Sequence, residues 1–349
     1  MKNLLMHVFD REWSPMKLQM SRRTLLRTSG AIGLTGLAAA NATDAYSVPV
    51  PRQPAISAAA GAVLWGSSSA DSVGAGEPGT VRAITLHDEL TALGIPTVRH
   101  AFGGWKSPEI LAIRSKSHPF KPNYFFGGAN GELPGSGSIV VPTTDGIAPQ
   151  TVTGPLPGTV AGERVDLQLV QLRSRKIRLM RVNPGSPIRV GASDEGYWRT
   201  TWEDLERGKI HVLWMGKNNS SDVQRVINDT RAAYDVEPDR TIVMGHWYTW
   251  FDRVGTESYS NVTSINDSYK SAYGEKYFDT MSALWDTQWW DLPEIQLLNL
   301  PENADNASRR DLGLPPLPFI AADTIHLNSY GYLVIAHALH AMMRSLGWA

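Results

Sequence analysis

The feature that most constrains the fold is an alternation of short apolar runs with helix-like segments. The strand-like runs lie at 62–65, 97–101, 210–215 and 241–245, and the helical patterns lie near 79–93, 220–234 and 329–346. Alternating strands and helices predict a parallel sheet with helices on both faces. The chain is therefore expected to be an α/β protein with three layers.

Residues 119–198 interrupt this alternation. Runs with apolar residues at every second position occur there at 138–141, 165–170 and 176–182, and glycine- and proline-containing turns separate them. This pattern is typical of short antiparallel strands. We therefore predict a main α/β domain at 61–118 and 199–349, with an inserted β subdomain at 119–198.

The N-terminal segment has the pattern of an export signal. Arg22 and Arg23 precede an apolar run at 30–40, and Ala40-Asn41-Ala42 fits a cleavage site between small residues. Paired arginines before a mildly apolar run resemble a bacterial twin-arginine signal. We predict a signal peptide at 1–42, translated from Met1 or from Met20, and a proline-rich linker at 43–60.

Composition excludes several classes of function. The 349 residues include no cysteine, which removes disulfide scaffolds, thiolate metal sites and cysteine nucleophiles. The 33 basic and 34 acidic residues give a formal charge of −1, which argues against nucleic acid as the main partner. The sequence contains no His-Glu-x-x-His motif, and we expect neither a metal nor another cofactor. No run in the mature chain is long and apolar enough to predict a transmembrane segment.

A serine-rich block follows the first apolar run directly. It reads Gly66-Ser67-Ser68-Ser69-Ala70-Asp71-Ser72. A serine just past a strand-ending glycine can lie on a strand-to-helix turn, with its hydroxyl exposed at the carboxyl edge of the sheet. By itself, the block is more typical of a polar turn, because turns rich in glycine and serine are common.

Two further blocks follow the next two strands of the main domain. Gly103-Gly104 comes after the run at 97–101, and a glycine there lets a backbone N–H approach a ligand closely. Asn218 and Asn219 come after the run at 210–215. An asparagine amide at that edge can donate a hydrogen bond to a developing oxyanion, although it could also cap the next helix.

The last block lies before the final helical segment. Asp323 precedes His326 by three residues, and no other histidine of the chain has an aspartate three residues upstream. At this spacing one carboxylate can hold the imidazole Nδ1–H while Nε2 faces a serine. A surface loop contact is the alternative interpretation.

Taken together, the four blocks resemble those of the SGNH hydrolases, also called GDSL esterases or lipases. The resemblance covers about residues 62–118 and 209–346. It implies a flavodoxin-like three-layer α/β/α fold, with Ser68 as nucleophile, His326 as general base and Asp323 as the residue that orients it. It also implies an oxyanion hole formed by the Ser68 N–H, the Gly104 N–H and the Asn218 side chain.

Two positions depart from the family pattern. Ser67 stands where the family usually has an aspartate before the nucleophile, and Asn219 stands where it has an aspartate after the asparagine. The first departure leaves the register open among Ser67, Ser68 and Ser69.

An aromatic segment follows the run at 241–245. It contains Trp247, Tyr248 and Trp250, whose rings could form a stacking surface for sugar at the active-site edge. Packing in the core is the alternative for each ring.

We therefore expect an exported serine esterase that acts through an acyl-enzyme. Its substrate would be an O-acyl group on a carbohydrate, or a lipid ester. The alternative is a catalytically silent scaffold of the same fold that binds cell-wall carbohydrate.

Overall fold

A five-stranded parallel sheet organises the chain. The computed structural model describes residues 61–76, 82–119, 132–142, 154–169, 176–190, 194–300 and 304–349. The parallel strands are β1 (Ala62–Gly66), β2 (Thr97–Ala101), β10 (Ile210–Trp214), β11 (Thr241–Met244) and β12 (Tyr277–Phe278). Their spatial order is β12-β11-β10-β1-β2. Counted in chain order from one to five, the parallel strands are arranged 2-1-3-4-5, the order of flavodoxin-like doubly wound sheets.

Helices cover both faces of this sheet. The helices of the described residues are α1 (Leu86–Ala92), α2 (Ser107–Arg114), α3 (Trp202–Leu205), α4 (Val223–Tyr234), α5 (Glu257–Tyr273), α6 (Thr280–Trp285), α7 (Pro293–Gln296), α8 (Ala304–Asp311) and α9 (Ser329–Ser345). Alternate side chains of β1 enter two separate core clusters. Ala62 and Leu64 pack with α1 and α9, whereas Val63 and Trp65 pack with α2, α4 and α5. The predicted α/β architecture with a parallel sheet is confirmed.

Antiparallel strands lie between β2 and β10 in the chain. They are β3 (Glu132–Leu133), β4 (Ser138–Pro142), β5 (Gly158–Val160), β6 (Glu163–Leu169), β7 (Lys176–Arg181), β8 (Ile188–Arg189) and β9 (Arg199–Thr200). Five of them form one sheet in the order β4-β7-β6-β5-β9. Strand β9 lies beyond residue 198, where the predicted insertion ends. Buried residues of this sheet, such as Leu167 and Leu179, belong to the same core cluster as Trp65.

Side-chain caps fix where the helices near the sheet edge begin. Thr85 accepts the Asp88 N–H ahead of α1, and Asn328 accepts the N–H groups of Tyr330 and Gly331 ahead of α9. Such caps satisfy backbone donors that have no partner within the helix. Helix α1 begins at Leu86, so the helical pattern predicted near 79–93 is shorter than expected within the described residues.

The predicted signal peptide (1–42) and linker (43–60) lie outside the described residues. Within the part of the chain that the structure describes, no helix combines the length and the apolar character needed to cross a bilayer.

Candidate active site

The four sequence blocks lie at or next to the carboxyl edge of the parallel sheet. The serine block follows β1 and the asparagine block follows β10, and these two strands are paired with Gly66 beside Trp214. This pair is the point at which the strand order reverses direction, where doubly wound sheets open a crevice for ligands. The topology therefore places both blocks at the expected position of a binding site.

The serine block forms a series of turns after β1. Residues 67–76 are turn and bend, closed by hydrogen bonds such as Val73 N–H to the Ser68 carbonyl at 3.0 Å. Within this turn, Ser67, Ser69 and Ser72 are buried, whereas Ser68 is half-buried. The Ser72 hydroxyl accepts the Leu86 N–H at 2.9 Å and so has a structural partner. Ser68 is thus the serine of this block that reaches the surface.

The final helix holds the serine turn against the histidine loop. The Tyr332 hydroxyl donates to the Val73 carbonyl at 2.8 Å. Gly74 adopts a left-handed φ of +95°, and a side chain there would lie within 2.5 Å of the Leu327 carbonyl oxygen. Only glycine combines this backbone conformation with so close an approach.

Asp323 organises the loop that carries His326. One carboxylate oxygen, Oδ1, accepts the N–H groups of Ile325 at 2.8 Å and His326 at 2.9 Å. Thr324, which follows Asp323, has a φ of +61°, which is unusual for a β-branched residue and marks a constrained turn. The other oxygen, Oδ2, is 2.5 Å from His326 Nδ1.

Ser68, His326 and Asp323 form a continuous hydrogen-bonded chain. His326 Nε2 lies 2.8 Å from Ser68 Oγ, while Nδ1 contacts the Asp323 carboxylate. An ionised carboxylate can only accept, so Nδ1 carries the proton and donates it. In the neutral ring Nε2 is then left to accept the Ser68 hydroxyl proton. This is the arrangement of a nucleophile, a base and a group that orients the base.

The environment of Asp323 favours its ionised form. Partial burial opposes ionisation, but the hydrogen bonds from the His326 ring and from the His326 and Ile325 backbone outweigh it and hold the pKa of Asp323 below its ordinary value. The carboxylate therefore remains an acceptor for Nδ1–H at neutral pH.

Asn218 is linked to the glycine block. Its amide nitrogen donates to the Trp105 carbonyl at 2.8 Å. Trp105 directly follows Gly104, which is exposed and has a left-handed φ of +78°. An amide nitrogen carries two N–H groups, and the bond to Trp105 uses one of them. The structure thus joins the asparagine block to the glycine block at the carboxyl edge of the sheet.

Asn219 has a different role from Asn218. Its Oδ1 accepts the Ser107 N–H at 3.0 Å, and its Nδ2 donates to the Ser107 hydroxyl at 3.0 Å. The Ser107 hydroxyl in turn donates to Asp229 at 2.7 Å. Asn219 therefore ties the turn after β10 to the start of α2, a contact that sequence reasoning did not predict.

The aromatic residues do not form the predicted joint stacking surface. Trp247 is 1% exposed and packs against Trp214 with ring centroids 5.1 Å apart, because its side chain enters the core beneath the sheet edge. Tyr248 is half-buried, with its ring stacked on Tyr259. Trp250 is 48% exposed, and the Arg253 guanidinium carbon lies over its ring, 5.0 Å from the centroid.

Sequence reasoning also missed a buried ion pair beside Asn218. Lys217 Nζ lies 2.5 Å from Asp252 Oδ2, although the two residues are 35 positions apart. No local pattern links a lysine after one strand to an aspartate in the turn after the next strand. Proximity on the folded sheet edge brings them together.

Among the described residues, no group of three or more His, Asp or Glu side chains is placed to hold a metal ion. A scan against protein-family models finds no match to the chain, and a search of curated proteins finds no matching relative. The functional assignment therefore depends on the geometry of the site.

Proposed function

We propose that this protein is a serine esterase of the SGNH hydrolase type, which cleaves carboxylic esters through an acyl-enzyme. The observation that carries the proposal is the Ser68–His326–Asp323 chain at the carboxyl edge of the sheet. It is supported by the order of the four blocks and by the three-layer arrangement with strand order 2-1-3-4-5.

In the proposed reaction, Ser68 Oγ attacks the ester carbonyl carbon while His326 Nε2 takes the hydroxyl proton. The carbon–oxygen bond to the alcohol then breaks, and the His326 imidazolium returns that proton to the leaving oxygen. Asp323 holds the ring in place and stabilises the imidazolium. Water repeats the sequence on the acyl-Ser68 ester, with His326 again acting as base, and releases the carboxylic acid.

The tetrahedral intermediate carries a negative charge on the former carbonyl oxygen. We assign its stabilisation to the Ser68 N–H, the Gly104 N–H and the second N–H of the Asn218 amide. Donors that are already fixed before the reaction lower the barrier more than water can, because they need no reorganisation.

Export and substrate class belong to the same proposal. The paired arginines, Arg22 and Arg23, followed by an apolar run, favour transport of the folded protein out of the cytoplasm. An exported esterase would meet O-acylated carbohydrates or lipid esters. Changing both arginines to lysine should trap a full-length precursor in the cytoplasm, and unchanged export would contradict this part of the proposal.

The first experiment measures hydrolysis of p-nitrophenyl acetate and longer p-nitrophenyl esters. We expect turnover by the wild-type protein and a loss of several orders of magnitude in the S68A variant. Absence of turnover in the wild type across these esters, with binding to acylated or plain cell-wall polysaccharide, would favour the carbohydrate-binding alternative.

A further inference from the structure

A buried ion pair lies directly next to the proposed oxyanion donor. Lys217 precedes Asn218, and its ammonium group donates to Asp252 Oδ2 at 2.5 Å and to the Trp247 carbonyl at 3.2 Å. The Lys217 side chain is 15% exposed and that of Asp252 is 6% exposed. A buried charge is costly unless it is paired and hydrogen-bonded, so each partner depends on the other.

Asp252 is held in place by its own turn. It ends the 3₁₀ turn Trp250–Asp252 after β11. Its Oδ2 accepts the Thr249 N–H at 2.9 Å and the Thr249 hydroxyl at 2.7 Å, and its Oδ1 accepts the Ser258 hydroxyl. The Asp252 carboxylate is therefore a fixed hydrogen-bond acceptor in the turn that follows β11, the strand next to β10.

Asn218 thus lies between two anchored neighbours. On one side, Asn219 is fastened to Ser107 at the start of α2. On the other side, Lys217 is fastened to Asp252 in the turn after β11. The two anchors attach the turn after β10 to the start of α2 and to the turn after β11, and Asn218 lies between them.

We propose that Lys217 and Asp252 are positioning residues, which fix this turn and thereby aim the Asn218 amide at the developing oxyanion. The inference rests on the proposed esterase function. Misplacing a catalytic group by about 1 Å can cost on the order of 100-fold in rate. We therefore expect K217M and D252N each to lower kcat by about 10- to 100-fold, with KM much less changed.

A direct effect of charge on the oxyanion is the competing explanation, and the two variants separate it from positioning. K217M removes a positive charge near the site, whereas D252N removes the negative charge that offsets it. A charge effect predicts that kcat falls in K217M and rises or stays unchanged in D252N. Positioning predicts that kcat falls in both variants and falls no further in the double variant.

The same strand supplies a matched control. Lys209 and Glu206 form an ion pair with the same 2.5 Å separation, immediately before β10 begins, whereas Lys217 follows the end of that strand. This control pair lies at the opposite edge of the sheet from Asn218. K209M and E206Q should lower the melting temperature without lowering kcat. They show what the loss of an ion pair does when it affects stability alone.

The deciding measurement repeats K217M and D252N in an N218A background. Two quantities are measured: kcat, and the second-order rate constant for the reaction of a fluorophosphonate with Ser68. The second quantity can be measured without the natural substrate. D252N keeps the shape of the side chain, so it provides the test if K217M fails to fold. We expect either change to have less than about a twofold further effect once the Asn218 amide is gone.

Additive losses in the N218A background, or opposite effects of K217M and D252N, would overturn the positioning role. Those outcomes leave the esterase proposal intact. If the wild-type protein neither hydrolyses esters nor reacts with the fluorophosphonate at Ser68, the esterase proposal fails first, so the two failures are distinguishable.

Discussion

Ser68 Oγ and His326 Nε2 lie 2.8 Å apart, although 258 positions separate the two residues in the chain. Three local features produce this contact. The turn after β1 exposes Ser68, the Gly74 backbone lets that turn approach Leu327, and Asp323 fixes the loop that carries the imidazole. The contact is therefore a property of the folded sheet edge as a whole.

Replacing Asn218 tests the proposed oxyanion hole. N218A should lower kcat by about 10²–10³, because a side-chain donor to the oxyanion contributes roughly 3–4 kcal/mol to transition-state stability. KM should change less, because this hydrogen bond strengthens mainly in the transition state. The measurement is steady-state kinetics together with the melting temperature.

Asn219 is the matched control for that experiment. N219A removes two hydrogen bonds to Ser107 and should lower the free energy of unfolding by about 1–3 kcal/mol. The turn keeps its Lys217–Asp252 anchor, so kcat should fall less than in N218A, within about tenfold. If N218A kept a normal kcat and only lost stability, Asn218 would be a structural residue and the assigned oxyanion hole would be wrong.

Replacing Asp323 tests the orienting role of its carboxylate. D323N should lower kcat at neutral pH by about 10⁴, because an amide no longer secures the tautomer in which Nε2 accepts the serine proton. D71N changes another carboxylate of the region, which pairs with Arg99 at 2.8 Å, and should leave kcat within about threefold. Equal activity of D323N and the wild type would remove Asp323 from the mechanism.

Much of the α/β core could be predicted from sequence because it depends on local periodicity. The buried residues of β1, β10 and β11 form apolar runs that alternate with helical patterns. Strand β12 contains only Tyr277 and Phe278 and forms by pairing with β11. Two residues are too few to show a periodic pattern, so the sequence does not predict this strand.

Some site residues could likewise be predicted from sequence, and others could not. Ser68 and the Asp323–His326 spacing are recognisable because their chemistry depends on short local blocks. The burial of Trp247 and the pairing of Lys217 with Asp252 depend on which turns meet at the sheet edge. A single sequence carries no local signal for contacts of that kind.

Replacing Gly216, in the turn that precedes Asn218, should lower the free energy of unfolding. Its φ is +103°, and a Cβ there would lie 2.3 Å from Val226 Cγ1 in α4. G216A should therefore cost more stability than G94A, because Gly94 has a φ of +94° but no atom within 4 Å of the same position. We expect G94A to cost about 1 kcal/mol for backbone strain alone and G216A at least about twice that. Equal losses, measured by urea unfolding, would show that α4 yields to the added methyl group.

Acid should destabilise the protein in part through His211. Burial lowers the pKa of His211 to about 4, with partial compensation from Glu237. Between pH 6.5 and about 4 the unfolded chain then binds a proton at this ring that the folded chain does not. The free energy of unfolding therefore falls as pH falls in this window, by up to about 1.4 kcal/mol per pH unit for one such group.

The matched measurement compares urea unfolding of the wild type and H211N at pH 6.5, 6.0, 5.5 and 5.0. H211N should be less stable at pH 6.5, because it loses the contacts with Trp65 and Glu237, but its stability should decline less steeply with acid. Parallel pH profiles for the two proteins would mean that His211 contributes nothing to acid sensitivity.

Covalent labelling shows which serine of the block is the activated nucleophile. A fluorophosphonate reacts with an activated serine hydroxyl and displaces fluoride, and peptide mass spectrometry locates the adduct among Ser67, Ser68, Ser69 and Ser72. We expect one adduct, on Ser68, that is lost in S68A and H326A and retained in S72A, because the Ser72 hydroxyl accepts the Leu86 N–H and, within the described residues, makes no hydrogen bond to His326. An adduct on Ser67, Ser69 or Ser72, or none on the folded wild-type protein, would contradict the assignment of Ser68 as the nucleophile.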